Sequence, residues 1–185
     1  MSRRRRRSWR LALVVLGVLL APAVALAQTC TMPPRPLGLV AAFVVRVVDG
    51  DTIVVRLADG RSTRVRMIGI DAPEVRPNEK LWRDAERTHQ DAATIQAQGA
   101  RASEFTKKHL AGRRIEIERD TAAVDRYGRT LAYLWLGDEL YNVLIVREGY
   151  ASLMTVPPNV KYASLLAACH RVARESRRGL WAARE

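Results

Sequence analysis

Asp49 and Asp51 stand one residue apart in VVDGDTIVV, residues 47–55, a stretch otherwise made of Val and Ile with one Gly and one Thr. Acids are poor strand formers and repel each other, so a nearby cation is what makes this pair tolerable. A second acidic pair, Asp71 and Glu74, flanks Ala72-Pro73 in VRMIGIDAPE, residues 65–74. Proline has no N–H and biases Ala72 toward extended backbone, which leaves the neighbouring carbonyls to seek other partners, such as a cation. Carboxylates, a carbonyl and water are the donors that Ca²⁺ prefers. Arg66, in the same stretch, and Arg129, in DRYGRTLAY (residues 125–133), add planar, permanently charged forks that match two phosphoryl oxygens. Such a set suits attack of water on a phosphodiester, where negative charge grows on the phosphoryl oxygens.

Each feature taken singly has an ordinary reading. Asp49-Gly50-Asp51 alone is a polar turn, Arg66 a solvated strand residue and Arg129 a turn residue paired with a nearby acid. An EF-hand is excluded, because Ile53 and Val54 fall where that loop needs a ligand and a glycine. His89, His109 and His170 lie in separate segments without metal-ligand spacing. No serine-nucleophile motif or phosphate-binding glycine loop is present.

The elements that must position these residues are short strands. Residues 39–48 and 51–57 read as two strands broken at Asp49-Gly50, and TRVRMIGI (63–70) as a third. A two-residue turn at Asp59-Gly60 would place Arg64 and Arg66 on the core side. A three-residue loop, Ala58 to Gly60, instead sets Ile53, Val55 and Leu57 beside Val65 and Met67, with Gly60 in the left-handed position. Arg66 then lies opposite Thr52, next to Asp51. Residues 75–97 read as a polar, exposed excursion leading to a helix over 98–111, with Ala102, Phe105 and Leu110 inward and Lys107 and Lys108 outward. Strands RRIEIER and RTLAYLWL follow, then helices over 140–148 and 160–174. Five short strands with late helices are compatible with a small Greek-key barrel, one topology among several.

The chain ends carry different information. Residues 1–27 combine a basic start, an apolar run (LALVVLGVLL) and APAVALA, which predicts an export signal cleaved after Ala27. Its six arginines lower the net charge from +12 to +6 when removed, which still favours a polyanionic partner. The mature chain is expected to keep no hold on the membrane and to end in the periplasm or outside the cell. Cys30 and Cys169 then meet an oxidising compartment. They form either a bridge closing nearly the whole domain or two separate thiols, Cys169 filling the apolar stripe of the last helix. Spacing alone leaves both open.

In order, VVDGDTIVV, VRMIGIDAPE, ASEFTKK, DRYGRTLAY, NVLIVREGYA and GLW make the chain resemble the staphylococcal nuclease (thermonuclease) family over about residues 39–181. The resemblance implies an α+β, mainly β fold: a five-stranded OB-fold Greek-key barrel with three helices. Residues 28–38 would be an N-terminal extension and 182–185 a tail. It implies a monomeric, calcium-dependent endonuclease acting on DNA and/or RNA, with single strands favoured. Asp51 and Asp71 would be the calcium carboxylates with the Ala72 carbonyl, and Asp49 would stand behind them. Glu74 would be the general base or orient the water, Arg66 and Arg129 would hold the phosphate, and Arg126 and Tyr127 would contact the nucleotide.

One departure bears on binding: where the family often carries base-stacking tyrosines, SLMTVPPN offers Met154 and Val156. Loss of stacking would weaken binding by about 1–3 kcal/mol per base. The polar excursion after Glu74 also looks longer than the family's. The rival reading is a non-catalytic OB-fold module that binds nucleic acid or protein, since the fold alone permits it.

Overall fold

A computed structural model describes residues 29–182. The export segment expected over residues 1–27 and the last three residues of the expected tail lie outside the described residues. A run of Val and Ala with one Phe and one Arg gives β1 (Val40–Val47), which pairs antiparallel with both β2 (Thr52–Leu57) and β5 (Arg114–Glu118). Next come β3 (Ser62–Met67), antiparallel to β2, and β6 (Thr130–Leu136), antiparallel to β5. Parallel pairing of β3 with β6, Val65 to Thr130 and Met67 to Ala132, closes the five strands into a barrel. Val44, Ile53, Val55, Val65, Met67, Leu134 and Trp135 fill it, all essentially inaccessible to solvent.

The hairpin takes the three-residue loop: Leu57 N–H donates to Arg61 O, Gly60 sits at φ 83°, and Thr52 faces Arg66. The third expected strand divides. β3 stops at Met67, and a separate short strand, β4 (Gly69–Asp71), pairs with β8 (Ser152–Met154). Gly69 at φ 80° makes the break, with Leu166 against the position its Cβ would occupy. β7 (Glu139–Leu140) extends the sheet beside β6.

Four α-helices pack on the barrel, one more than the three expected. Residues 75–97 are not one exposed excursion: α1 (Glu79–Thr88) lies within it, and α2 begins six residues earlier than expected, spanning Ala92–Leu110. Asn78 caps α1 by accepting from Leu81 N–H, and Asp91 caps α2 by accepting from Thr94 N–H. α3 (Tyr141–Arg147) is almost wholly buried, and α4 (Ala163–Glu175) turns Leu165, Leu166, Cys169 and Ala173 inward. Asn142 ties α3 to the barrel, donating to Ile68 O and accepting from Leu134 N–H, both at 2.9 Å. The structure joins Cys30 to Cys169, 139 residues apart. Among the described residues no helix is long and apolar enough to cross a membrane.

Candidate active site

The turn between β1 and β2 holds Asp49 and Asp51. Asp49 Oδ1 accepts from Asp51 N–H at 3.1 Å, a local bond that sharpens the turn. Asp51 is buried, and its Oδ2 accepts from Ala72 N–H at 2.8 Å while Oδ1 accepts from Thr52 Oγ1 at 2.9 Å. That backbone bond draws the DAPE segment onto the turn. α2 presses the same segment from the other side: at Gly99 a Cβ would fall 2.5 Å from Glu74 O and 2.7 Å from Pro73 O, so only glycine lets the helix approach so closely.

Arg66 leaves β3 beneath this segment, with its side chain only 10% exposed. Its Nη1 donates to Met67 O and Ile70 O, both at 2.8 Å, which fixes the guanidinium. Its Nη2 lies 3.2 Å from Asp51 Oδ2, 3.1 Å from Asp71 Oδ1 and 3.6 Å from Met154 Sδ. One arginine thus joins two acids from separate motifs.

Asp71 is also held from the far side. Lys80 of α1 places its Nζ 3.2 Å from Asp71 Oδ2, 3.2 Å from Ala72 O, 3.3 Å from Glu74 Oε1 and 3.1 Å from Asp84 Oδ2. Glu74 Oε2 accepts from Asn78 Nδ2 at 2.8 Å. Burial, and then Asp51 nearby, push the Asp49 carboxyl up to about 7. Burial likewise raises Asp71 above the ordinary carboxylate value, with Lys80 and Arg66 offsetting only part of it. Burial opposes the charge on Lys80, but Asp71, Glu74 and Asp84 outweigh it and raise its pKa.

Arg129 stands at the start of β6, after a turn built by Asp125, whose Oδ1 accepts from Tyr127 N–H and Arg129 N–H, both at 2.9 Å. Arg129 Nε donates to Asp125 Oδ2 at 2.7 Å, and its Nη1 and Nη2 make no hydrogen bond among the described residues. Arg66, Arg129, Arg126, Tyr127, Met154 and Val156 line one cavity of about 490 Å³. Arg126 stacks on the exposed Tyr127 ring at 4.8 Å and donates to its hydroxyl.

The expected residues therefore form two joined groups. Asp49, Asp51, Arg66, Asp71 and Ala72 make one continuous network that Lys80 extends to Glu74, while Arg129, Arg126 and Tyr127 meet it through the cavity that Arg66 shares. Asp71 and Asp84 face instead a second cavity of about 270 Å³. Lys80 and Asp84 are participants that periodicity did not find, although an asparagine cap followed by EKLWRDAERT, with Lys80 and Asp84 four apart, is a legible helix signal.

The donor set suits a hard cation. Asp71 Oδ2, Ala72 O and Glu74 Oε1 already converge on one positive charge, the Lys80 ammonium. Among the described residues, no three His, Cys, Asp or Glu side chains gather closely enough to hold an ion unaided. Calcium here would need the Ala72 carbonyl and water besides the carboxylates.

The chain is 43% identical over 140 residues to a thermonuclease of Staphylococcus intermedius, covering 75% of this chain and 74% of that one. It is 40% identical over 139 residues to a thermonuclease of Staphylococcus hyicus, covering 75% and 73%. It is 28% identical over 139 residues to the endonuclease YncB of Bacillus subtilis, covering 74% and 59%. Residues 64–183 match the family model described as staphylococcal nuclease homologue, and with the barrel and its acidic corner this places the chain in the staphylococcal nuclease family.

Proposed function

We propose that this chain is an exported, calcium-dependent endonuclease that hydrolyses phosphodiester bonds of DNA, RNA or both, acting as a monomer with single strands favoured. The observation that carries the reading is the convergence of Asp51 and Asp71 on Arg66, with Glu74 joined to Asp71 through Lys80, beside the Arg129 cavity. The S. intermedius and S. hyicus relatives are called thermonucleases and the B. subtilis one an endonuclease. Export accords with residues 1–27 and with the Cys30–Cys169 bridge, a feature of oxidising compartments.

Asp51, Asp71 and the Ala72 carbonyl would hold Ca²⁺, with Asp49 supporting Asp51 through the Asp51 N–H bond. The bound ion would neutralise charge growing on the phosphoryl oxygens. Glu74 takes the proton of the attacking water at a carboxylate oxygen, a role worth about 10²- to 10⁴-fold in rate. Arg66, immobilised through Nη1 by two carbonyls, would turn Nη2 to a phosphoryl oxygen once the ion takes over Asp51 and Asp71. Arg129 keeps Asp125 through Nε and offers Nη1 and Nη2 to another. Tyr127 and Arg126 hold the nucleotide at the cavity mouth.

The test is digestion of single-stranded DNA and of RNA by the purified protein, with Ca²⁺ and with a chelator. Cleavage in Ca²⁺ that stops on chelation is the expected result; no cleavage of either substrate, or cleavage indifferent to chelation, rejects the reading.

A further inference from the structure

We propose that Lys80 is a tethered counter-cation that competes with the divalent ion for its oxygen donors, so that metal loading is coupled to release of α1 from the 71–74 segment. The inference rests on the calcium reading above. Three of the four oxygens around Lys80 Nζ, those of Asp71, Ala72 and Glu74, belong to residues given metal or water roles there. A lysine ammonium is a compact, strongly hydrated charge, close in its preferences to a hard metal ion. An ammonium and a divalent ion compete for these oxygens, because each repels the other at short range. For Ca²⁺ to take Asp71 and the Ala72 carbonyl, the ammonium has to leave.

The helix is built for such a departure. α1 packs against α2 and fully buries only Leu81, so the Lys80 contacts are what ties it to the 71–74 segment. The fourth partner, Asp84, sits on the same helix one turn on, 3.1 Å from Nζ. Lys80 can give up the three barrel-side oxygens and keep that carboxylate. The cavity lined by Asp71, Asp84 and Arg87 lies alongside, with room for the displaced side chain. Removing the positive charge therefore frees the donors for the ion.

The test is isothermal titration of Ca²⁺ into the full disulfide-bonded protein and into Lys80→Gln, without nucleic acid. The variant is expected to bind Ca²⁺ about tenfold more tightly or better. Hydrogen exchange of the unmutated protein gives an independent readout that needs no variant to fold: saturating Ca²⁺ should speed exchange over residues 79–88 and slow it over 71–74. Equal or weaker binding by a folded Lys80→Gln overturns this proposal alone. So does exchange over 79–88 that saturating Ca²⁺ leaves unchanged. Failure of both proteins to bind Ca²⁺ overturns it together with the calcium reading.

Discussion

Arg66 Nη2 lies 3.1 Å from Asp71 Oδ1, joining the end of one barrel strand to the acid that ends the next. Because Asp51 Oδ2 is 3.2 Å from the same nitrogen, the guanidinium is the shared counter-charge of two acids that would otherwise repel in a nearly dry corner.

Arg66→Met should therefore lower stability by about 3–5 kcal/mol, the usual cost of leaving buried charges unpaired. Arg66→Lys should fall between the two, since it keeps the charge but loses the planar fork that reaches Met67 O and Ile70 O. Guanidinium unfolding midpoints at pH 7 without metal provide the comparison. A Met variant as stable as the parent would show that the acids are not held this way.

Cys30 and Cys169 close nearly the whole domain. In the chain-entropy model, a loop of that length contributes about 4–5 kcal/mol. Cys30→Ser should show a loss of that order in equilibrium unfolding, and dithiothreitol should destabilise the parent but not the variant. Equal midpoints for the oxidised and reduced parent would remove the bridge from the stability account.

Asp125 supplies a pH signature. Burial opposes its ionisation, but the bonds from Arg129 and Tyr127 outweigh it and hold its pKa below the ordinary value. A depressed folded pKa means stability that is present above the unfolded value, about 3.9, and lost as pH falls through the folded one. Asp125→Asn should therefore melt below the parent at pH 6, with the gap shrinking as pH falls below about 4. Thermal melts from pH 6 to 3 decide it, and a gap that does not change with pH would contradict the assignment.

Met154 and Val156 are exposed and line the same cavity as Tyr127. Met154→Tyr should add a stacking surface and tighten binding of a short single-stranded oligonucleotide by about 1–3 kcal/mol. Fluorescence titration with the chelated protein isolates binding from cleavage. Unchanged affinity would mean that bases do not reach this wall.

The barrel was legible because its hairpin is lopsided: arginines at 64 and 66 fit only one register, and that register alone puts Arg66 opposite Thr52 beside Asp51. Order and spacing likewise pointed to Asp51, Asp71 and Glu74, which the fold brings into one network. Helix α1 escaped because it buries a single apolar side chain, Leu81, and its other inward contact is the charged Lys80. The segment does separate charged from apolar positions with a helical period, but its charged residues so outnumber the apolar ones that it reads as exposed chain. The strand break at Gly69 was hidden for a related reason, since Ile68 and Ile70 look like continuous strand and only the positive φ between them re-aims Asp71. Lys80 itself meets oxygens six to nine residues back in the chain, a distance at which sequence shows no pairing.

In the proposed function, the Glu74 carboxylate handles the proton of the attacking water beside the corner assembled by Asp51, Asp71 and Arg66. The most direct measurement is the cleavage rate of single-stranded DNA at saturating Ca²⁺ and substrate by the parent and by Glu74→Gln, with folding verified by thermal melt. The account predicts a rate lowered by about 10²- to 10⁴-fold in a folded variant. A folded Glu74→Gln protein that cleaves as fast as the parent would contradict it.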